Sequence, residues 1–273
     1  MNDTPKPTFA DLGIPFPLFE ASADEASNYH GLATCTLCGH PDRHCFEMGI
    51  GSDIILPCPR CHTENALDAD DRASVFCRNC ESPVTFPDYD TPILICYQCW
   101  RAGNAAFTMD TELGMVTWDH AIQGVTHGAP GLSNPDFEMI KAPEQDAEPD
   151  AATVFTQDGP RGWAMTESSN AWTAARVPTE MLLELVRTPA YATWQGEQWS
   201  FHCKQPMVYI GPWEQADFDH HAADGDGRAL YMQITDAPFE DLWDEGGEMS
   251  DLMYVYVHRC PSCGTLRAHW DSD

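Results

Sequence analysis

Apolar residues along the chain fall in short runs and not in long periodic stretches, a pattern of short strands joined by turns. Residues 52–56 and 93–97 read as such strands, and further runs at 207–211, 229–235, 253–258 and 265–270 predict four more. One segment has helical period. Pro178 and Glu180 open it, Met181, Leu182, Leu185 and Val186 recur on one side, and Pro189 stops it. Residues 1–32 carry Pro5, Pro7, Pro15 and Pro17 with little periodicity, which predicts an irregular arm anchored by the aromatic stretch 16–19 and packed on another part of the molecule.

The chain has 273 residues, enough for one large domain or two modest ones. Its 43 Asp and Glu against 14 Lys and Arg give a formal charge of -29. Such a surface repels nucleic-acid backbones and anionic membranes, because phosphate binding needs Lys and Arg to displace condensed counterions. Direct nucleic-acid binding and membrane association are therefore not expected. The N-terminal residues have no basic region followed by an apolar run, and no segment approaches a membrane span, so a cytoplasmic location is expected.

Twelve cysteines in a reducing compartment suggest metal ligands before disulfides. Ten of them form five pairs at CxxC spacing: Cys35/Cys38, Cys58/Cys61, Cys77/Cys80, Cys96/Cys99 and Cys260/Cys263. Thiolates at this spacing face one ion while backbone amides of the turn donate to sulfur, and a second pair completes a closed tetrahedron. Cys58, Cys61, Cys77 and Cys80, with fifteen residues between the pairs, make the strongest candidate zinc site. Cys35, Cys38, Cys96 and Cys99 make a second tetrad. Spacing leaves the pairing of these four CxxC units open between nested, sequential and cross-braced arrangements. The third candidate site takes Cys260 and Cys263, from a CxxCG knuckle at the tip of a predicted hairpin, with Cys203 and His202. Zinc is thus expected at two sites, with a third as a candidate. The fold expected is α+β, with small zinc-ribbon or knuckle modules on a β-rich body containing few helices. Its expected divisions are the arm 1–32; a ribbon region 33–107 with a nested ribbon 52–92; a Gly-rich segment and acidic linker 108–153; and an α+β domain 154–273 ending in the knuckle hairpin.

The text around Cys58 to Cys80 resembles the small N-terminal zinc ribbon of certain bacterial thioredoxins, which implies a folded ribbon and not redox activity. A wider resemblance spans the chain. Cys35-Thr36-Leu37-Cys38-Gly39, then Cys96-Tyr97-Gln98-Cys99-Trp100-Arg101-Ala102-Gly103, then Arg187-Thr188-Pro189-Ala190-Tyr191 leading to Trp194 and Trp199, then His202-Cys203, then Cys260-Pro261-Ser262-Cys263-Gly264 occur in the order seen in the CbrC family of colicin-tolerance proteins. The chain departs from that pattern in three ways: an N-terminal His-Pro-Asp-Pro is not legible, Gln98 replaces a Trp, and a ribbon is inserted at about residues 51–95. Relatives bring the outer pairs close together without an inner ribbon. The resemblance therefore implies nesting, with Cys35/Cys38/Cys96/Cys99 closing one site and the insert closing its own.

Other signals have plainer readings. Cys45 is expected to be a buried small hydrophobe, and His258 and His269 to be imidazoles of the strands and not ligands. Arg187, Tyr191, Trp194 and Trp199 are expected in an aromatic core beside the helix. Asp217-Phe218-Asp219-His220-His221 carries the DHH triplet of certain phosphoesterases without their other motifs. Asp224-Gly225-Asp226-Gly227 lacks the closing Glu of an EF-hand.

With every pair closed, no cysteine pair remains open for catalysis, and a non-enzymatic protein is expected. The resemblance implies toxin tolerance. The charge argues separately for a protein partner, possibly a basic toxin domain, since nuclease toxins must be basic and an acidic inhibitor is steered onto them. The rival account of the charge is general solubility. Two other functional classes are a zinc-ribbon adaptor docking on a nucleic-acid machine through protein contacts, and a zinc hydrolase at the C-terminal site. Zinc on four thiolates carries about -2, and on three thiolates and one imidazole about -1, so three filled sites deepen the net charge to about -34.

Overall fold

In the computed structural model the described residues are 6–49, 51–70, 75–85, 92–107, 109–111, 114–126, 136–141, 156–157, 163–164, 173–194, 196–235, 238–239, 242–243, 247–250 and 253–272. The predicted acidic linker at 142–153 lies outside them. The chain is α+β, with short antiparallel sheets dominating and few helices. Among the described residues no helix is long and apolar enough to cross a membrane.

Two three-stranded sheets carry the N-terminal half. One runs Tyr29–Ala33, Arg43–Met48, Ile93–Cys96, and its register sets Cys45 opposite Cys96. The other centres Ser52–Pro57 between Glu64–Asp68 and Ala105–Phe107. A smaller pair, Val75–Phe76 with Pro83–Val84, holds the next CxxC turn. The C-terminal sheet orders Val208–Pro212, Met253–Arg259 and Leu266–Ser272. Side chains alternate across a strand, and both faces of this sheet are covered. Tyr256 joins the main core with Tyr209, whereas Val255 and Val257 pack on a second core built from Trp213, Phe218, Tyr231 and Trp243.

The arm packs into the main core. Phe9, Phe16 and Phe19 are 0–3% exposed, and Phe16 meets Phe46 and Trp100 edge-on at 5.4 and 5.9 Å. The Glu20 N–H donates to the Tyr209 carbonyl and the Tyr209 N–H to that of Leu18, so the arm runs beside the C-terminal sheet. Its prolines prevent a regular strand but leave enough backbone donors for this docking.

The helix expected at 178–187 forms as Thr179–Val186, burying Leu182, Leu185 and Val186. On its half-buried side Glu184 takes a two-pronged hydrogen bond from Arg101 at 2.7 and 2.9 Å. This contact ties the helix to the turn after Cys99.

One predicted strand is corrected. Residues 229–234 lie in a helix, Gly227–Ile234, with the Asp226 carboxylate accepting from the Ala229 N–H at 2.9 Å, and Thr235 alone is extended, bridging to Ala268. The β-branched Ile234 and Thr235 suggested a strand, but the buried positions Gly227, Tyr231 and Ile234 follow helical spacing. The Asp219 carboxylate, which accepts from the Gly227 N–H, would lie 2.4 Å from a Cβ at that position. The segment before it that carries the DHH triplet is also helical, Gln215–His221, opened by reciprocal hydrogen bonds between Glu214 and Asp217. Its DHH-like residues thus have structural roles: Phe218 fills the core and His221 stacks on Trp213 at 4.4 Å.

Candidate metal centres

Four of the five CxxC units fold alike. In each, the N–H of the first cysteine donates to the carbonyl five residues on, and its own carbonyl accepts from the N–H four residues on. The pairs are Cys35 with His40 and Gly39, Cys58 with Thr63 and His62, Cys77 with Ser82 and Glu81, and Cys260 with Thr265 and Gly264. The turn aims both sulfurs to one side. Cys96 and Cys99 differ, because Cys96 ends a strand and Cys99 lies in the helical turn Tyr97–Cys99.

These turns bring the predicted residues together in three groups. They are Cys35, Cys38, Cys96 and Cys99; Cys58, Cys61, Cys77 and Cys80; and His202, Cys203, Cys260 and Cys263. Within each, one donor atom from every residue lies within 4.8 Å of the others, so each could hold a metal ion. The four N-terminal pairs are joined in the nested way.

In the first group Cys35 and Cys99 Sγ are 3.9 Å apart and Cys38 and Cys96 Sγ 3.8 Å. In the second, Cys58–Cys80 and Cys61–Cys77 are both 3.5 Å. A tetrahedral ion about 2.3 Å from each sulfur sets sulfurs about 3.8 Å apart. A disulfide needs about 2.0 Å, and all twelve cysteines are free. The donor sets and spacings therefore fit zinc, whereas hard oxygen-seeking cations would find no oxygen ligands among these atoms.

Backbone amides complete the surroundings. The Cys96 N–H donates to Cys35 Sγ at 3.3 Å, Arg60 N–H to Cys58 Sγ at 3.4 Å, and Asn79 N–H to Cys77 Sγ at 3.5 Å. Thr36 and Leu94 exchange hydrogen bonds, fastening the first knuckle to the strand that delivers Cys96. Between the two knuckles of the ribbon, Asn65 donates to the Thr63 carbonyl at 2.7 Å and accepts from the Arg78 N–H at 3.1 Å.

The third group is built from two hairpins. His202–Gln205 forms a two-residue turn in which Cys203 and Lys204 both have positive φ, 51° and 63°. Such turns favour Asn-Gly, so a Cys-Lys pair here carries backbone strain. The strained turn brings His202 Nδ1 within 3.3 Å of both Cys203 and Cys263 Sγ, and Cys203 Sγ to 3.6 Å from Cys263 Sγ. Cys203 and Cys263 are exposed, making this the most open group.

Two threonines were not singled out by sequence reasoning. Thr63 and Thr265 each follow the second cysteine of a knuckle by two residues, with hydroxyls 3.3 and 3.2 Å from Cys61 and Cys263 Sγ. Their hydrogen bonds pull the Cys61 thiol down to about 5 and the Cys263 thiol down to about 6, favouring the thiolates that bind metal. The repeated Cys-x-Thr was the available signal.

Cys45 lies beside the first group but outside it. It is fully buried, and burial with the neighbouring Cys35, Cys96 and Cys38 charges pushes its thiol up to about 12, so it stays protonated. His258 and His269 are likewise outside the third group and stack on each other at 5.7 Å in the core. Of the predicted aromatic core, Tyr191 and Trp199 are buried and in edge-on contact, and Arg187 is half-buried. Trp194 is the exception. It is 63% exposed because its backbone N–H is drawn to Asp271 while its ring turns outward.

No solved structure matches the chain. A model of an uncharacterised protein family, UPF0167, matches residues 61–272, which include three of the four second-group cysteines and the whole third group. The order of motifs from the first knuckle to the last and this match lead to one assignment: the chain belongs to the UPF0167 family, of which the CbrC proteins are part.

Proposed function

We propose that this chain is a non-enzymatic protein shaped by three zinc ions, and that its acidic surface binds and neutralises a basic protein of the toxin class. The observation that carries the metal reading is the convergence of four donors in each of three separate groups. A catalytic zinc keeps one coordination position for water or substrate, and a group that already supplies four protein donors fills it. This favours structural ions over hydrolysis at the C-terminal group. Ligation on separate sheets and hairpins makes metal binding part of folding. Free thiols 3.5–3.9 Å apart suit a reducing cytoplasm.

The partner reading rests on charge. At -29 before metal, the chain attracts basic proteins over distances set by the Debye length. Cells expressing it alongside a panel of basic nuclease toxins should survive one that kills the control, and binding should weaken steeply between about 50 and 300 mM salt. Failure to protect against any, together with salt-independent binding, contradicts the partner reading and leaves the metal reading standing.

A further inference from the structure

The two N-terminal groups differ from the C-terminal one in how they expose sulfur. In the first two, each contact of 3.5–3.9 Å across the pairs has a buried member: Cys35 or Cys96 in the first group, Cys58 or Cys77 in the second. A buried sulfur is shielded from reagents in solution, so such a pair is slow to be oxidised as a pair. In the third group Cys203 and Cys263 face each other at 3.6 Å, and both are exposed. The other cysteine of that group, Cys260, is fully buried, with its Sγ 3.8 Å from the His202 carbonyl oxygen.

Protein contacts alone hold the two turns that carry this exposed pair. The Gln205 side-chain amide donates to the Ser262 hydroxyl and reaches Cys260 Sγ at 3.9 Å, joining the turn 203–204 to the knuckle 260–264. The first hairpin is anchored by the fully buried Phe201, paired with Pro206, and the knuckle by the Cys260 N–H donating to the Thr265 carbonyl. The left-handed backbone at Cys203 and Lys204 turns Cys203 toward that knuckle. Two sulfurs held on anchored turns react with each other at a high effective concentration. Closing from 3.6 Å to the roughly 2.0 Å of a disulfide asks for a small movement shared by two exposed side chains.

We propose that Cys203 and Cys263 form a reversible oxidation site for hydrogen peroxide, through which the third zinc ion is released while the other two stay, a step that rests on the zinc reading of that group above. One thiolate of the pair attacks the peroxide: an S–O bond forms, the O–O bond breaks, and the departing hydroxide takes up a proton to become water. The second thiolate attacks the oxidised sulfur, the S–S bond forms, the S–O bond breaks, and a second hydroxide leaves as water. The two sulfurs together give up the two electrons that the peroxide accepts. His202 and Cys260 then remain as the only donors of the group, two short of the four that close a structural zinc site. A thiol reductant reopens the disulfide by exchange and restores the donors.

The test is treatment of the full, zinc-loaded chain with excess hydrogen peroxide, followed by native mass spectrometry for zinc and by peptide mapping without reduction for disulfides. Three ions should fall to two at least tenfold faster than a second ion leaves, with a Cys203–Cys263 disulfide as the product, and dithiothreitol with added zinc should restore three. Cys203→His keeps a nitrogen donor but has no second exposed sulfur to close on, and it should lose the third ion at least tenfold more slowly than wild type. The wild-type product decides the matter even where that variant takes up only two ions. Equal loss from all three groups overturns the proposal, as does release with Cys203 and Cys263 driven to sulfinic acids without a disulfide, or with a disulfide to Cys260. A three-ion Cys203→His chain that releases zinc as fast as wild type also overturns it. A wild-type chain whose third group is empty before peroxide overturns the zinc reading of that group and the switch with it, whereas a three-ion chain that keeps all three in peroxide overturns the switch alone.

Discussion

Gly39, His62, Glu81 and Gly264 hold the same place in their knuckles, four residues after the first cysteine, with φ of 69°, 61°, 56° and 77°. The turn needs a left-handed residue there, and glycine adopts it without a Cβ penalty. His62 and Glu81 meet the same demand at a cost. Glu81→Gly should therefore raise the urea midpoint of the metal-loaded protein, by about 1 kcal/mol in stability, while Gly264→Ala should lower it comparably and loosen the third ion. A second residue-scale prediction concerns Glu197. Burial raises its carboxyl from the usual 4.5 to about 8, so folding favours the protonated form. The associated stability is complete below the unfolded value and is lost as pH rises towards about 8. Glu197→Gln should thus melt higher than wild type at about pH 8.5, by on the order of 4 kcal/mol, with the advantage shrinking towards pH 6. An advantage constant with pH would contradict this burial-driven titration.

Among the elements, the knuckles were legible because a CxxC turn is a local object: two cysteines, a bend and a flanking strand specify it. The helix Thr179–Val186 was legible for the same reason, through Pro178, its apolar spacing and Pro189. Helix Gly227–Ile234 was misread because Ile234 and Thr235 outweighed the cap at Asp226 and the spacing of Gly227, Tyr231 and Ile234. Pairing of the knuckles was beyond local signals, since it depends on the register that sets Cys96 beside the first sheet; family resemblance pointed to the nested arrangement the structure shows. Inside the ribbon, Asn65 bridges Thr63 and Arg78. Asn65→Ala leaves the Arg78 N–H bare, while the Thr63 carbonyl keeps the Cys58 N–H, at a cost of roughly 1–3 kcal/mol. In chelator competition it should release the second ion early with the other two unaffected. In the wild-type chain the third ion should leave first, because two of its four ligands are exposed and one sits in a strained turn. Simultaneous release of all three would argue that the groups are not independent.

For the whole molecule, sequence reading was strongest on class and weakest on packing. It foresaw a β-rich α+β body with cysteine knuckles, but the extent to which the proline-rich arm fills the core was not visible in its local pattern. Phe9, Phe16 and Phe19 bury themselves against Phe46, Trp100 and Tyr209, residues far apart in the chain. Trp194 escaped for the opposite reason. Its apolar character suggested burial, and only the tertiary hydrogen bond to Asp271 explains a ring left in solvent. Charge, by contrast, is readable from composition at any scale. It bears on association and solubility and says little about fold.

Three independent four-donor groups should each hold one zinc ion. Native mass spectrometry of the purified chain and of Cys35→Ser, Cys58→Ser and Cys263→Ser variants tests it most directly. Three zinc ions are expected in the wild-type chain, and a loss of one, from a different group, in each variant. Fewer than three ions in the wild type, or a Cys35→Ser and Cys58→Ser double variant that loses only one, would contradict it.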